Sequence, residues 1–297
     1  MTQRLFYTDH HQLPLPEGHK FPVRKYRLLR EMLQADGAFE FSPAPLADTA
    51  TIELAHDGGY VHAFLQGNLD SAAMRRIGFP WSEQLVKRTL ASVGGTLAAT
   101  HEALSSGWGG TLAGGTHHAF RAEGSGYCVF NDMAVAIRYL QESGIVARAA
   151  VIDLDVHQGD GTAQIFSQDD SVLTVSVHCK NNFPLRKQQS KIDIELESGT
   201  GDGEYLAILA DVLPCVLQFR PDIVFFQAGV DALASDALGR LSLTHDGLKR
   251  RDQMVMREIA ARGIPLVITL GGGYSVPIEL TAEAHANTFR AASEILG

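Results

Sequence analysis

The segment Ala149-Ala150-Val151-Ile152-Asp153-Leu154-Asp155-Val156-His157 opens with an apolar run and closes with three alternating polar side chains. The run is too short for a helix and is followed directly by polar residues, as expected for a strand buried inside a sheet. Three further runs share these properties, at residues 172–177, 223–226 and 266–270. We therefore predict strands at 149–154 and at these three places, arranged in parallel.

The stretches between these runs carry helix signals. Ser82 precedes one amphipathic segment as a candidate N-cap, and Asn131 precedes another that Gly144 closes. With 297 residues, 45% of them hydrophobic, and no recognisable linker, the chain is long enough to build one large core. Because strands alternate with helices, we predict an α/β fold: a single domain over 1–297 whose central parallel sheet is flanked by helices on both faces.

Composition narrows the classes of partner. The formal net charge is −9 and the acidic residues are spread along the chain, which argues against nucleic acid and is compatible with a cationic partner. The cysteines, Cys128, Cys179 and Cys215, show no Cys-x-x-Cys spacing, so a reducing compartment fits best. Neither an export signal nor an apolar run of about 18 residues is recognisable. We expect a cytoplasmic protein that binds neither nucleic acid nor membranes.

Polar residues that follow the predicted strands are candidates for binding or catalytic residues, because open parallel sheets bind ligands beyond the carboxyl ends of their strands. Asp153, Asp155 and His157 alternate along extended backbone, so their side chains leave the same face. Asp231 follows the run at 223–226. Two carboxylates and one imidazole, from Asp155, His157 and Asp231, leave a zinc ion neutral with open positions, as in catalytic sites. The structural alternative is that these residues cap helices and form turns.

Two adjacent histidines, His117 and His118, follow a glycine-rich stretch at 114–116. Such a sequence indicates a loop that approaches a ligand closely and presents two imidazoles. Asp153 and Asp160 are available to orient one imidazole each and to tune its charge. The alternative is a pair of surface histidines in a turn.

Tyr274 follows three consecutive glycines at the end of the predicted strand 266–270. These glycines permit a close backbone approach, and a phenol at this place can donate a hydrogen bond to a developing oxyanion. The stretch matches neither phosphate-binding fingerprint, which argues against a nucleotide ligand. An ordinary glycine-rich loop is the alternative.

Taken together, these motifs resemble one family. They read Gly-Gly-Thr-His-His-Ala-Phe (114–120), Gly-Tyr-Cys-Val-Phe-Asn-Asp (126–132), Val-Ile-Asp-Leu-Asp-Val-His-Gln-Gly-Asp-Gly-Thr (151–162), Ser-Val-His (176–178), Gln-Ala-Gly-Val-Asp (227–231) and Leu-Gly-Gly-Gly-Tyr (270–274). In this order they are similar to the zinc-dependent histone deacetylases and their bacterial relatives, including acetylpolyamine amidohydrolases, over residues 21–274. The short length and the segment Ile77-Gly78-Phe79-Pro80-Trp81-Ser82 resemble the small class IV-like bacterial members.

The resemblance implies an arginase-deacetylase fold and one catalytic Zn²⁺ ion held by Asp155, His157 and Asp231. It implies that His118, paired with Asp160, acts as general base and then as general acid. His117, paired with Asp153, would supply electrostatic support, and Tyr274 would polarise the substrate carbonyl.

The resemblance also implies a substrate tunnel and structural K⁺ ions. The tunnel positions that match are Gly126, Tyr127, Cys128 and Phe183. An inner potassium ion would lie at Asp153, Asp155, His157, Ser176 and Val177. An outer one would lie near Phe166, Asp169 and Val172, and Asp169 brings an acidic side chain to this position.

The expected function is hydrolytic removal of an acyl group, acetyl or longer, from the side-chain amine of acyl-lysine in proteins. An acetylpolyamine or another small amide is the alternative substrate, and a binder of acyl-lysine without turnover is a third possibility. Arginase-like enzymes share the fold but use two metal ions, and position 159 is Gly where the second ion would need a carboxylate. We expect a monomer, because the compact length leaves little room for the inserted loop through which polyamine-specific members dimerise.

Overall fold

All four predicted strands form, and each agrees with its predicted bounds to within two residues. Eight strands are present in residues 2–297, which the computed structural model describes: β1 Gln3–Tyr7, β2 Phe39–Pro43, β3 Trp108–Thr111, β4 Ala149–Asp153, β5 Val172–Cys179, β6 Ile192–Leu196, β7 Ile223–Gln227 and β8 Leu266–Thr269. They form one sheet in the order β2-β1-β3-β8-β7-β4-β5-β6, and every neighbouring pair is parallel.

Ten helices occur in the same described residues: α1 Arg24–Asp36, α2 Thr49–Glu53, α3 Gly58–Leu65, α4 Ser71–Ile77, α5 Glu83–Ser106, α6 Asp132–Glu142, α7 Asp160–Ile165, α8 Asp202–Phe219, α9 His245–Ala260 and α10 Ile278–Leu296. Both predicted N-caps are confirmed: the Ser82 side chain accepts from Leu85 N, and that of Asn131 accepts from Ala134 N. None of these helices is both long and apolar enough to cross a bilayer.

The long helices fall into two groups. α1, α8, α9 and α10 pack against one another, whereas α5 packs against α6. We assign the groups to the two faces of the sheet, and this arrangement confirms the predicted α/β class. The central strands β4, β5, β7 and β8 are buried along their whole length, as their apolar sequences require.

The register of the central strands places the loops that follow them side by side. The last residue of β4, Asp153, pairs with Gln227 at the end of β7, and Gln227 pairs with Thr269 at the end of β8. Residues that directly follow these three strands therefore meet at one edge of the sheet. This edge is where the sequence motifs predict chemistry.

Candidate active site

Asp155, His157 and Asp231 converge at the carboxyl ends of β4 and β7. One possible ligand atom of each residue lies within 4.8 Å of the others. His157 Nδ1 lies 3.0 Å from Asp155 Oδ1 and 3.1 Å from Asp231 Oδ2. The two carboxylates are buried, whereas the His157 side chain is 12% exposed and all three residues line a cavity. A cation among these atoms would keep one side open to that cavity.

Backbone and amide groups hold both carboxylates in place. Asp155 Oδ2 accepts hydrogen bonds from Gln227 Nε2 at 3.0 Å and from Gly272 N at 2.7 Å. Asp231 Oδ1 accepts one from Val156 N at 2.9 Å. Position 272 must be glycine for this approach, because a Cβ there would lie 1.9 Å from Asp231 Oδ2. The other two carboxylate oxygens remain directed at the imidazole, so the three donors are oriented before any ion binds.

The electrostatics of the cluster fit a cation. Burial opposes the charged form of His157, but hydrogen bonds to Asp155 and Asp231 outweigh burial and raise its pKa to about 10. Burial, followed by the charge of Asp155, raises the pKa of Asp231 to about 7. The two carboxylates thus attract positive charge to this point. A donor set of two oxygens and one nitrogen suits Zn²⁺, so the residues present fit the predicted ion.

Each histidine of the adjacent pair faces its own buried carboxylate. His117 Nδ1 lies 2.7 Å from Asp153 Oδ2, and His118 Nδ1 lies 2.6 Å from Asp160 Oδ1. The His118 ring centroid is 5.9 Å from that of His157, so the pair borders the metal-ligand cluster. The geometry brings together the partners that the motifs indicated. The alternative of two surface histidines is wrong, because both are about 5% exposed.

The two histidines have opposite charge preferences. Burial disfavours the charged form of His117, but the carboxylates of Asp153 and Asp155 outweigh burial and raise its pKa to about 9. Burial lowers the pKa of His118 to about 4, and the charge of His117 adds to this effect despite the hydrogen bond to Asp160. These shifts favour the cationic form of His117 and the neutral imidazole of His118 at neutral pH. His118 is therefore the better placed of the two to accept a proton, and His117 to stabilise negative charge.

Tyr274 lines the same cavity from the loop after β8, and Asp236 holds its backbone. Asp236 Oδ2 accepts from Tyr274 N at 2.6 Å, while Asp236 Oδ1 accepts from Leu238 N and Gly239 N, both at 2.8 Å. Burial raises the pKa of Tyr274 well above its ordinary value, so the phenol keeps its proton and remains a donor. Sequence patterns did not point to Asp236, which lies outside every recognised motif.

The loop that carries the histidine pair is fixed by Asp132, the first residue of α6. Its carboxylate accepts from Thr116 N at 2.7 Å, from Gly115 N at 3.0 Å and from Thr96 Oγ1 at 2.6 Å. Asp132 is fully buried. It was not singled out from the sequence, although it closes the motif at 126–132 and so carried a signal.

A cavity of about 740 Å³ contains the predicted tunnel residues Gly126, Tyr127, Cys128 and Phe183 in its lining. Gly126 has a φ of +53°, and a Cβ there would lie 2.7 Å from His118 Cδ2. The Phe183 ring stands at 84° to that of His118, with centroids 4.9 Å apart. Tyr127 faces Tyr274, with ring centroids 6.3 Å apart. Gly126 and Phe183 thus lie beside His118, and Cys128 is buried in the same lining.

The predicted potassium positions lie next to the metal-ligand cluster along β4 and β5. Asp153 and Ser176 are register partners on the two strands. At the outer position, the Asp169 carboxylate is engaged by Ser171 and by Arg138. Its backbone amide donates to Phe166 O at 3.0 Å, and Val172 N donates to Asp169 O at 3.4 Å. Near the predicted outer position, the carbonyl oxygens of Phe166 and Asp169 thus already accept hydrogen bonds.

Comparisons with known proteins agree on one family. The family model described as the Histone deacetylase domain matches residues 19–291. The chain is 45% identical to an uncharacterized protein of Picosynechococcus sp., over 97% of this chain and 98% of the relative. It is 34% identical to a probable deacetylase of Methanothermobacter thermautotrophicus, over 62% of this chain and 58% of the relative. It is 35% identical to histone deacetylase 2 of Arabidopsis thaliana, over 61% and 48% respectively.

A solved structure shares the fold. The crystal structure of the HDA15 HD domain superposes with a TM-score of 0.80 at 22% identity, covering 98% of this chain and 88% of the other. This likeness confirms the predicted arginase-deacetylase fold. Because the family model spans nearly the whole sequence, the chain belongs to the histone deacetylase family.

Proposed function

We propose that this protein is a zinc-dependent deacylase that hydrolyses the side-chain amide of acyl-lysine. The observation that carries the proposal is the convergence of three groups on one cavity. These groups are the Asp155–His157–Asp231 cluster, the histidine pair with its carboxylates, and Tyr274. Together they provide a site for a metal, a base and a hydrogen-bond donor, which amide hydrolysis requires.

The residues of the cavity divide the chemistry among them. When bound, Zn²⁺ supplies Lewis acidity that polarises the amide carbonyl and acidifies a water molecule. His118 accepts the proton of the attacking water at Nε2, because its Nδ1 faces Asp160. Tyr274 donates a hydrogen bond to the carbonyl oxygen as negative charge develops on it. His118 then delivers the proton to the leaving amine, while cationic His117 stabilises the negative charge nearby.

A potassium ion at the inner position is part of the proposal. No described residue donates a backbone hydrogen bond to the carbonyl oxygens of Asp155 and His157. Free carbonyl oxygens are the ligands that K⁺ takes in proteins. An ion there would hold the backbone that carries two zinc ligands.

Charge at the mouth of the cavity favours acyl-lysine over polyamines. Arg75, Arg76 and Arg240 are exposed and line the cavity, and among them Arg76 pairs with Glu123 at 3.2 Å. The lining contains no acidic side chain except the two metal-ligand carboxylates. Although the whole chain has a net charge of −9, a polycationic substrate would meet positive charge here. We propose acyl-lysine flanked by acidic residues as the preferred substrate.

The cysteines support a reducing, cytoplasmic location. Cys128, Cys179 and Cys215 are all free. Exposed large hydrophobic side chains are few in the described chain, and Phe183 and Leu185 among them line the cavity. We therefore propose a monomer that works in the cytoplasm.

A substrate panel tests the proposal. Zinc-loaded protein is incubated with acetyl-lysine peptides that have acidic or basic flanking residues, and with N-acetylated polyamines, and the released amine is measured. We expect kcat/KM to be highest for the acidic peptide, and we expect added salt and the Arg75→Gln/Arg240→Gln double variant to reduce this preference. Turnover of polyamines alone would support the small-molecule alternative. Bound zinc without turnover of any substrate would support a binder.

A further inference from the structure

Arg88 is a buried cation in the cavity lining that the proposed chemistry does not use. It lies near the start of α5 and is 8% exposed. Ser92 follows one helical turn later and lines the same cavity, so both side chains lie on one face of α5. Both residues are buried, whereas the other arginines of the lining are exposed.

The guanidinium of Arg88 has no anionic partner in residues 2–297. It takes part in no salt bridge there, and Nη2 is buried without a hydrogen-bond acceptor. Two aromatic rings lie close to it: the Tyr26 ring centroid is 4.3 Å from Cζ and that of Phe21 is 5.6 Å away. Cation–π contact offsets only part of the cost of burying a charge. A buried arginine with free donors is therefore suited to an anionic ligand.

The surroundings of Arg88 are positive. Burial lowers the pKa of His11, and the charges of His10, Lys87 and Arg88 lower it further. Lys25, also buried, donates to Gly271 O at 3.1 Å and forms no salt bridge with a described carboxylate. Neither cation pairs with a described carboxylate, so both remain available to an entering carboxylate.

A sequence of contacts connects Arg88 to the reacting end of the cavity. Arg88 lies over the Tyr26 ring, and Lys25 Nζ lies 5.2 Å from the Tyr26 centroid and 5.5 Å from the Tyr274 centroid. Under the proposed function, Tyr274 contacts the substrate carbonyl. Because Arg88 and Tyr274 line the same cavity, we place the acyl chain attached to that carbonyl in the space between them.

We propose that Arg88 is a specificity-determining residue that binds the terminal carboxylate of a dicarboxylic acyl group, such as succinyl or glutaryl, on the substrate amine. This inference rests on the proposed deacylase function. The reaction is hydrolysis: the C–N bond of the amide breaks and a C–O bond to water forms. The proton of water passes to the leaving amine, and the products are a free dicarboxylate and the amine. Arg88 contributes binding through charge-assisted, bidentate hydrogen bonds and takes no part in proton transfer.

The test compares acyl groups of equal carbon number on one lysine peptide. Zinc-loaded wild-type protein, Arg88→Met, Arg88→Lys and the control Lys87→Met are assayed with glutaryl and pentanoyl peptides, with succinyl and butyryl peptides, and with acetyl peptide. The ratio of kcat/KM for each charged substrate to that of its uncharged counterpart is measured on the same preparation. A fraction of misfolded protein therefore cancels from the ratio. Lys87 is the exposed neighbour of Arg88 on α5.

We expect the wild-type protein to prefer at least one dicarboxylic acyl group over its counterpart. Arg88→Met should lower that ratio by about tenfold or more, mainly through KM. Arg88→Lys should retain part of the preference, because the charge remains while the planar fork is lost. Lys87→Met should leave the ratio unchanged.

Two results would overturn the inference without touching the proposed function. One is hydrolysis of acetyl or pentanoyl peptides with no preference for a dicarboxylic group. The other is product inhibition by acetate that Arg88→Met relieves, again without such a preference, which would show that the pocket takes the released acid. Absence of turnover with every acyl group would instead contradict the deacylase function itself.

Discussion

Asp236 is predicted to act on catalysis through Tyr274, although it does not line the cavity. One of its carboxylate oxygens accepts from Tyr274 N, and the other accepts from Leu238 N and Gly239 N. Asp236→Asn keeps one acceptor oxygen and places an NH₂ group where the second oxygen was. It therefore cannot accept hydrogen bonds both from Tyr274 N and from the amides of Leu238 and Gly239. At least one hydrogen bond to a charged acceptor is lost, which costs about 1.5–3 kcal/mol.

The effect on rate follows from this energy and has an upper limit. A loss of about 1.5 kcal/mol in positioning the phenol corresponds to a roughly tenfold lower kcat. The limit is complete loss of the oxyanion donor, about 10²-fold. We expect kcat to fall within this range, with little change in KM and in bound zinc. The assay is steady-state hydrolysis of the best acyl-lysine peptide together with metal analysis.

A double variant separates positioning from a general loss of stability. If Asp236 acts through Tyr274, then Asp236→Asn should slow the Tyr274→Phe variant little further, because the phenol is already absent. Asp48→Asn is the matched control, since Asp48 accepts from Thr51 N at 2.8 Å outside the cavity lining. An unchanged kcat in Asp236→Asn, or full additivity with Tyr274→Phe, would refute the reasoning.

Three other substitutions test single assignments. Tyr274→Phe should bind zinc normally but turn over roughly 10²-fold more slowly, and undiminished kcat would remove its role as oxyanion donor. Asp231→Asn should weaken zinc affinity by at least about tenfold in a competition titration with a chelator, and equal affinity would exclude it as a ligand. Asp169→Asn tests a pH effect on stability. Although burial opposes it, hydrogen bonds from Ser171 and Arg138 lower the Asp169 pKa, so its stabilisation is present above pH about 4 and is lost as pH falls through the lowered pKa. The variant should be about 0.2–1 kcal/mol less stable at pH 7, and this difference should disappear in acid during denaturant titrations; a constant difference would contradict it.

The central strands were predictable because they are buried on both faces and read as continuous apolar runs. The remaining strands lack this signal. β1 mixes polar and apolar residues, β3 is Trp-Gly-Gly-Thr, and the edge strands β2 and β6 are partly exposed. Their pairing depends on the rest of the sheet rather than on local propensity, so short-range patterns do not reveal them.

The candidate site likewise contains residues that the sequence revealed and residues that it did not. Asp153, Asp155 and His157 were visible because strand alternation and the sheet edge determine where their side chains lie. The pairing of His118 with Asp160 came from resemblance, since 42 residues separate the two in sequence. Asp236 and Arg88 were missed because their roles depend on packing. Asp236 accepts a hydrogen bond from the loop that carries Tyr274. Arg88 stands out only because its buried Nη2 has no hydrogen-bond acceptor among the described residues.

Metal removal and restoration tests the central claim most directly. Wild-type protein is stripped with a chelator and then titrated with Zn²⁺, while lysine released from an acyl-lysine peptide is followed. We predict that turnover disappears on stripping and returns with one zinc ion per chain, and that Asp231→Asn requires more zinc for the same recovery. Full activity in protein shown by metal analysis to be metal-free would contradict the claim that Asp155, His157 and Asp231 hold the catalytic ion.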